Sequence, residues 1–211
     1  MNIAARIFTD QPAGVNVVCD ATGLKSFRDP ACAATVWDRE VPPDVIAWLA
    51  KLDPATLPNG RVMLPVNAVR NAVVHLCDVA EMPSGRQRDW FVDDILDLTQ
   101  RFADMMQIAG VRLRLQAVTT NACRKFHHDA ITGRLVCTYR GTGTQYGTAA
   151  TGTTPANIFT APTGAPVLLR GSLWPPTPET GLLHRSPPIE GTGETRLVLV
   201  LDPIFDLEDP E

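Results

Sequence analysis

The chain has 211 residues, of which 45% are hydrophobic and 20% charged, and its formal net charge is −4 at pH 7. This length and balance predict one ordinary domain, or a compact domain with a helical extension, and argue against a disordered or collagen-like chain. The acidic balance argues against nucleic acid as a partner, because a surface that binds nucleic acid is usually basic. No apolar run reaches the roughly eighteen residues that cross a bilayer, so we expect no membrane span.

The five cysteines are widely spaced, and no two of them form a CxxC pair. Their number is odd, and residues 1–12 carry no pattern typical of a secretory signal, so we expect reduced thiols and a cytoplasmic location. A four-cysteine zinc site is not expected, because the pairs lack the spacing of a zinc knuckle.

The first 110 residues are predicted to be mostly helical or irregular. Residues 44–50 follow two prolines and predict a short helix, since proline is tolerated in a first helical turn. The clearest helix is predicted over residues 85–109, where apolar residues recur in steps of three and four. Ser84 is its expected N-cap, and Gly110 is the expected left-handed residue beyond its end. The apolar stripe of this helix is interpreted as core.

From Val111 onward the pattern changes to a period of two. Apolar residues alternate with Arg112, Arg114 and Gln116, which is typical of a half-buried strand. Short strands of this kind, separated by Gly, Thr and Pro, predict a sandwich or barrel of the jelly-roll type. Further strands are predicted over residues 134–139, 157–160, 166–169, 181–183 and 196–201.

Two histidines and one aspartate stand out in this β-rich part. His127 and Asp129 form an H-x-D pair, and alternation places residues i and i+2 on the same side of an extended chain. His184 follows 57 residues later, after another predicted strand. Two imidazoles and one carboxylate on one face would form the triad that holds Fe(II) and leaves coordination positions open.

Arg196 adds a possible binding group for an acid. It opens a predicted strand twelve residues after His184, and in a jelly roll this strand returns beside the metal. A guanidinium there could bind the far carboxylate of a 2-oxo acid in a bidentate manner, while the other end of the acid chelates the metal.

At these residues the sequence resembles the Fe(II)/2-oxoglutarate-dependent oxygenases with a double-stranded β-helix fold. The resemblance covers about residues 111–203 and rests on the segments Phe126–Asp129, Leu135–Thr144, Leu183–Pro187 and Arg196–Leu199. It implies an iron site at His127, Asp129 and His184, with 2-oxoglutarate as cosubstrate bound by Arg196. It also implies an oxygenase that hydroxylates a small molecule or a protein side chain.

The run Cys123–Asp129, followed by Cys137–Gly141, is also similar to an uncharacterised bacterial family whose members are often encoded near zinc-homeostasis GTPases. This similarity implies an alternative function, namely a cupin-like protein of metal homeostasis that binds Zn²⁺ or Fe²⁺ without turnover. A jelly-roll interaction module without a metal is a third hypothesis.

Pattern and resemblance together predict an α+β fold. Residues 1–110 would form a mostly helical extension, packed on a double-stranded β-helix (a cupin-like jelly roll) at residues 111–211. We expect the two parts to form one integrated domain.

Several assignments stay open at the level of sequence. Tyr139 is the predicted second contact to the cosubstrate, with Thr138 as the alternative, because the phase of their strand is not fixed. His128 is expected to point away from its neighbours, although its position beside the H-x-D pair makes the register ambiguous. His75 lies in an apolar run and is interpreted as a core histidine.

Each predicted site residue also has a purely structural interpretation. His127 and Asp129 could form a carboxylate–imidazole pair at the surface, and His184 could be a histidine in a capped turn. Arg196 could cap its strand, or it could pair with Asp202 or Glu194.

Overall fold

The computed structural model describes residues 11–175 and 181–206. These residues form three α-helices and ten strands, with short 3-10 helices between them. The α-helices are α1 (Pro43–Lys51), α2 (Val69–Val79) and α3 (Arg86–Met106). The strands are β1 (Val15–Val18), β2 (Ala34–Trp37), β3 (Gly60–Pro65), β4 (Gly110–Val118), β5 (Gly133–Arg140), β6 (Gln145–Thr148), β7 (Phe159–Thr160), β8 (Pro166–Arg170), β9 (Leu182–Arg185) and β10 (Arg196–Ile204).

The strands form two sheets. The large sheet has the order β1-β2-β8-β5-β10-β4-β3, and the small sheet has the order β7-β6-β9. Strands β1 and β2 run parallel, and the other neighbours are antiparallel. His127, between β4 and β5, forms an isolated antiparallel bridge with His184 of β9. The predicted mixture of helices and sheet is thus confirmed, and from β4 onward the chain passes back and forth between the two sheets.

The large sheet has a different apolar core on each face. Along β10, Leu197, Leu199 and Leu201 pack in the core that contains the helices. Val198 packs in the core shared with the small sheet, together with Tyr146 of β6. This division follows from the period of two along a strand, which sends successive side chains to opposite faces. The helices therefore cover one face of the large sheet, and the small sheet covers part of the other.

Helix α3 confirms the predicted helix and its core-facing stripe, but both predicted ends are wrong. The N-cap is Gly85, which makes no side-chain hydrogen bond, and Ser84 lies outside the helix. The left-handed residue at the C-terminus is Gln107, with a φ of 55°, because Gly110 already begins β4. The buried stripe of α3 contains Phe91, Ile95, Leu98, Phe102 and Met106.

Among the helices formed by the described residues, none is long and apolar enough to span a membrane.

Strands β1, β2 and β3 lie in the part of the chain that the sequence predicts to be helical or irregular, and for them the prediction is wrong. Strands β1 and β2 have four residues each, too few for a period of two to stand out. Strand β3 is an edge strand that ends at a proline, which weakens its signal further. The boundary at residue 110 stays a prediction.

The sequence also does not predict helix α2, which corrects the interpretation of His75. Val73 and Cys77 are buried against the core, whereas His75 is exposed. Two helical steps turn a side chain by about 200°, so a residue midway between two buried positions faces outward.

A buried polar cluster joins α3 to the large sheet on its helix side. Arg39, after β2, donates to both carboxylate oxygens of Asp94 at 2.6 Å, and the Tyr139 hydroxyl donates to the same carboxylate at 2.6 Å. The side chains of Arg39 and Asp94 are 9% and 8% exposed. Burial raises the pKa of Tyr139 well above its usual value, so the hydroxyl stays protonated. These donors satisfy a carboxylate that would otherwise be costly to bury.

Asp94→Asn is expected to destabilise the protein by about 3–5 kcal/mol, because it leaves the charge of Arg39 buried without a counter-charge. The matched control is Asp97→Asn on the same helix, where the pair with Arg101 is solvent-exposed and its loss should cost less than about 1 kcal/mol. Urea denaturation measures both free energies of unfolding. Equal effects of the two substitutions would contradict the assignment of the buried pair.

Candidate metal centre

Three side chains converge where the small sheet meets the large one. The carboxylate of Asp129 lies between two imidazoles, with Oδ2 3.1 Å from His184 Nε2 and Oδ1 3.5 Å from His127 Nε2. One potential ligand atom from each residue lies within 4.8 Å of the other two. The structure therefore brings together the three residues that the sequence predicts as metal ligands.

Backbone pairing between His127 and His184 produces this convergence. The amide of each residue donates to the carbonyl of the other at 3.0 Å, and the ring centroids are 4.5 Å apart. Side chains opposite each other in an antiparallel pair lie on the same face. Asp129, two residues beyond His127, shares that face because the chain is extended. One pair of backbone hydrogen bonds thus brings together two imidazoles that are far apart in sequence.

The two histidines of the ligand set have different environments, which shift their pKa values in opposite directions. Nδ1 of His127 lies 2.9 Å from the Lys125 carbonyl oxygen; donation to this acceptor leaves the lone pair on Nε2, which faces Asp129. The hydrogen bond to Asp129 raises the pKa of His127. His184 is only 6% exposed, and burial lowers its pKa, which favours the neutral imidazole. A neutral imidazole with a free Nε2 is the form that binds a metal ion.

A chain of ion pairs holds the carboxylate of Asp129. Arg134 Nη1 donates to Asp129 Oδ2 at 2.7 Å, while Nε and Nη2 of Arg134 donate to the two oxygens of Asp202 at 2.6 and 2.9 Å. Burial alone would raise the pKa of Asp129, but the hydrogen bonds from the two imidazoles and the charge of Arg134 outweigh burial. The pKa of Asp129 therefore lies well below its usual value, and the carboxylate is ionised and fixed in orientation.

The two imidazoles of the ligand set border a cavity between the two sheets. It encloses about 590 Å³, including space open to solvent, and both imidazoles and Arg134 line it. Alternate residues of two neighbouring strands form much of its wall, since the leucines between them face the helices. These alternate residues are Arg114, Gln116 and Val118 of β4 and Arg196, Val198 and Val200 of β10.

Arg196 is 1% exposed and reaches this cavity. Its Nε donates to the Thr142 carbonyl at 2.6 Å, and its Nη2 donates to the Thr138 hydroxyl at 3.2 Å. Burial lowers the pKa of Arg196 to about 10. Within the described ranges no carboxylate lies within 4.0 Å of its guanidinium, because Glu194 binds the amide and hydroxyl of Thr142 and Asp202 pairs with another arginine. The two ion pairs considered for Arg196 from sequence are therefore not formed.

Tyr139 does not reach the cavity, so its predicted contact to a cosubstrate is corrected. The Tyr139 side chain lies on the helix side of the sheet, with its hydroxyl on Asp94. The alternative residue, Thr138, faces the other side and contacts Arg196. Residues 135–139 of β5 are all buried, so this strand shows no alternation of apolar and exposed polar residues from which its phase could be fixed.

The histidine and cysteines near the ligand set in sequence differ in whether they face the cavity. His128 points away from the ligand set, and its Nε2 lies 3.0 Å from the carbonyl oxygen of Arg170. Cys123 lines the cavity, whereas Cys137 is fully buried on the helix side. All five cysteines are unpaired.

Sequence reasoning missed the part played by Arg134 and Asp202. Arg134 was visible only as the first residue of a predicted strand, and Asp202 only as a possible partner for Arg196. The period of two could have indicated both, because Arg134 shares a side of β5 with Val136, and Asp202 shares a side of β10 with Arg196.

The distances in the ligand set fit a divalent metal ion. Bonds of about 2.1 Å place adjacent ligand atoms about 3.0 Å apart in octahedral geometry and about 3.4 Å apart in tetrahedral geometry. Oδ2 of Asp129 lies 3.1 Å from His184 Nε2 and Oδ1 lies 3.5 Å from His127 Nε2, so each imidazole faces a different carboxylate oxygen at a separation near these values. Two imidazoles and a carboxylate could hold either Fe(II) or Zn²⁺.

Comparison with known sequences finds one family. Residues 19–202 match the family described as "Protein of unknown function (DUF1826)". No curated protein matches the sequence.

Several solved structures resemble this one at low sequence identity. The dioxygenase for auxin oxidation 1 from Arabidopsis thaliana, in complex with 2-oxoglutarate, is 13% identical with a TM-score of 0.47, over 94% of this chain and 95% of that chain. A prolyl-4-hydroxylase from Pseudomonas putida is 13% identical with a TM-score of 0.43, over 88% and 98%. A bsmA homologue from Methylobium petroleophilum is 13% identical with a TM-score of 0.47, over 96% and 98%. Similarity at this level carries no information on chemistry, which depends on the residues of the site.

His127→Ala is expected to abolish tight binding of a divalent metal, because it removes one of three ligands. The adjacent substitution His128→Ala is the matched control and should leave metal affinity unchanged, since that imidazole faces Arg170. Anaerobic titration of chelator-treated protein with Fe(II) measures both affinities. Equal loss of metal in the two variants would show that the register of the site is wrong.

Arg134→Gln is expected to lower metal affinity about 10–100-fold, because groups that orient metal ligands typically contribute that much. Arg86→Gln serves as the control, since the Arg86 side chain is 83% exposed and lies on α3. The same titration, with the free energy of unfolding measured in parallel, separates orientation of Asp129 from general stability. Unchanged metal affinity in a folded Arg134→Gln protein would contradict the role of Arg134 in orienting Asp129.

Proposed function

We propose that this chain, which belongs to the DUF1826 family, is an Fe(II)- and 2-oxoglutarate-dependent oxygenase. One observation carries the proposal: the two histidines of a His–Asp–His ligand set and a buried arginine line the same cavity. Among the described residues, that arginine has no carboxylate partner.

Arg196 argues for a bound acid in addition to a metal. Burying a guanidinium is costly unless a counter-charge and hydrogen bonds compensate for the lost water. Two neutral acceptors, the Thr142 carbonyl and the Thr138 hydroxyl, already orient the Arg196 side chain. A carboxylate in the cavity would supply the missing counter-charge through bidentate hydrogen bonds. A site that only stores a metal ion does not require this arginine.

The path of the chain supports a double-stranded β-helix as the scaffold. Strands β4, β5, β8 and β10 are neighbours in the large sheet, while β6, β7, β9 and the His127 bridge belong to the small one. Successive segments thus wind between two facing sheets. The ligand set then lies at the small sheet, and the arginine comes from the first residue of β10 in the large sheet.

Each residue of the site has a defined part in this proposal. His127, Asp129 and His184 would hold Fe(II), while Arg134 keeps the carboxylate of Asp129 in place. Arg196 binds the far carboxylate of 2-oxoglutarate, and Val136, Val198 and Val200 form an apolar wall that excludes water. When bound, Fe(II) and 2-oxoglutarate supply the oxidising chemistry, in which O₂ hydroxylates a C–H bond and 2-oxoglutarate becomes succinate and CO₂. The substrate is a small molecule or a protein side chain.

Arg196→Gln is expected to raise the Kd for 2-oxoglutarate at least about tenfold, because it removes a charge-assisted hydrogen bond to the carboxylate. Its affinity for Fe(II) should stay unchanged, since Arg196 is not a ligand. Tyr139→Phe is the control and should bind 2-oxoglutarate normally, because its hydroxyl lies on the opposite face of the sheet. Anaerobic calorimetry on Fe(II)-loaded protein measures these constants, and succinate release under O₂ measures turnover.

Two outcomes would contradict the proposal. Tight binding of a metal without affinity for 2-oxoglutarate would favour the cupin-like metal-binding protein. Absence of both activities would favour an interaction module. Unchanged 2-oxoglutarate affinity in Arg196→Gln would overturn the role of this residue even in an active oxygenase.

A further inference from the structure

A second group of arginines lies on the cavity side of β3 and β4. Arg61 of β3 is directly opposite Arg114 of β4 in the antiparallel register, and Arg112 lies two residues before Arg114. Residues opposite each other in such a pair share a face, so all three guanidinium groups project from the same side of the sheet. We call Arg61, Arg112 and Arg114 the arginine shelf. Arg114 lines the cavity, and Arg61 is exposed at the edge strand.

Within the described part of the chain, a single carboxylate lies at ion-pair distance from the shelf, and it is shared with Arg134. The nearest carboxylate to Arg114 is that of Asp202, at 4.0 Å, and Asp202 already receives two short hydrogen bonds from Arg134. Nε of Arg114 is buried and has no hydrogen-bond partner. Nη2 of Arg112 lies 3.7 Å from the sulfur of Met63, which is a weak acceptor.

This arrangement costs the unliganded protein free energy. Like charges directly opposite each other in a sheet are destabilising. Burial lowers the pKa of Arg114, and the charges of Arg134 and Arg61 lower it further, whereas the carboxylate of Asp202 acts in the opposite direction. A bound divalent cation at the nearby ligand set would add more positive charge to the same cavity. A purely structural role for three arginines would require more counter-charge than the one carboxylate that Arg114 shares with Arg134.

The shelf and Arg196 are separate positions on the cavity wall. Arg196 is opposite Val118 in the register of β10 and β4, four residues from Arg114. At about 3.3 Å per residue, the two arginines leave the sheet about 13 Å apart. An acid bound at Arg196 and a second anion at the shelf therefore occupy different ends of the cavity.

We propose that the arginine shelf binds an anionic group, a carboxylate or a phosphate, of the substrate, so that the substrate is a small acidic molecule. The word substrate rests on the proposed oxygenase function, whereas anion binding by the shelf does not. Arg114 contacts the anion inside the cavity, and Arg61 and Arg112 extend the contact toward solvent. The anion supplies the counter-charge that the unliganded site lacks.

The first test is stability without a ligand at low salt. Arg114→Gln and Arg61→Gln should each raise the Tm by about 1–3 °C, because they relieve repulsion between neighbouring positive charges. Arg86→Gln, which removes an exposed arginine outside the cavity, should not raise it. A lower Tm for both shelf variants would indicate a structural role and overturn the proposal.

The second test is anion binding by the full chain at constant ionic strength. Inorganic phosphate and benzoate are the two probes, with chloride as the reference, and the increase in Tm is measured for each. We expect at least one probe to stabilise the wild-type protein, and the apparent affinity for it to fall at least about tenfold in Arg114→Gln. Arg86→Gln should keep the response. The probe that binds identifies phosphate or carboxylate as the preferred group.

The outcomes separate this proposal from the proposed oxygenase function. If neither anion stabilises the wild type beyond chloride, or if Arg114→Gln responds like the wild type, the shelf is not an anion site. If the anion response depends on Arg114 while Fe(II)-loaded protein does not bind 2-oxoglutarate, the shelf stands and the oxygenase proposal fails. Arg114→Gln should keep the wild-type affinities for Fe(II) and 2-oxoglutarate, and a loss of either would overturn the assignment of the shelf to a separate group.

Discussion

A carboxylate remains ionised between two packed sheets only when cationic groups surround it, and the rest of this site depends on how Asp129 meets that condition. Arg134 donates to one of its oxygens and is itself bound by Asp202, and the two imidazoles contact the same carboxylate. The position of each charged group therefore depends on the group that it pairs with. The ion pairs fix the direction of the carboxylate, and this direction defines where a cation is held.

The same strands build both the hydrophobic core and the site. On β10 the leucines pack against the helices, while the residues between them, from Arg196 to Asp202, face the cavity or its ion pairs. The packing of the leucines in the core thus also fixes the positions of the polar residues that alternate with them on β10. The helix side has its own buried charge pair, Arg39 with Asp94, so the large sheet carries compensated charge on both faces.

Periodic patterns in the sequence predicted those helices and strands whose formation depends mainly on nearby residues. The period of 3.6 residues identified α3, and alternation identified β4, β5 and β10 as well as the shared face of His127 and Asp129. Strands β1 and β2 escaped detection, because the pairing of such short segments is decided by neighbours distant in the sequence. Tyr139 was assigned to the wrong face because both faces of its strand are buried, so the sequence shows no alternation that would fix the phase. The pairing of Arg134 with Asp202 spans 68 positions, a tertiary choice that sequence spacing does not encode.

The alternation along β10 also restricts how relatives of this chain can diverge. One extra residue within the strand would exchange the two faces on one side of the insertion, sending a leucine into the cavity and Arg196 or Asp202 into the apolar layer. Insertions and deletions are therefore tolerated only outside the paired segments, for example in the turn-rich stretch between β6 and β7. The distances between site residues along β4, β5 and β10 should accordingly stay constant among homologues, while loop lengths vary.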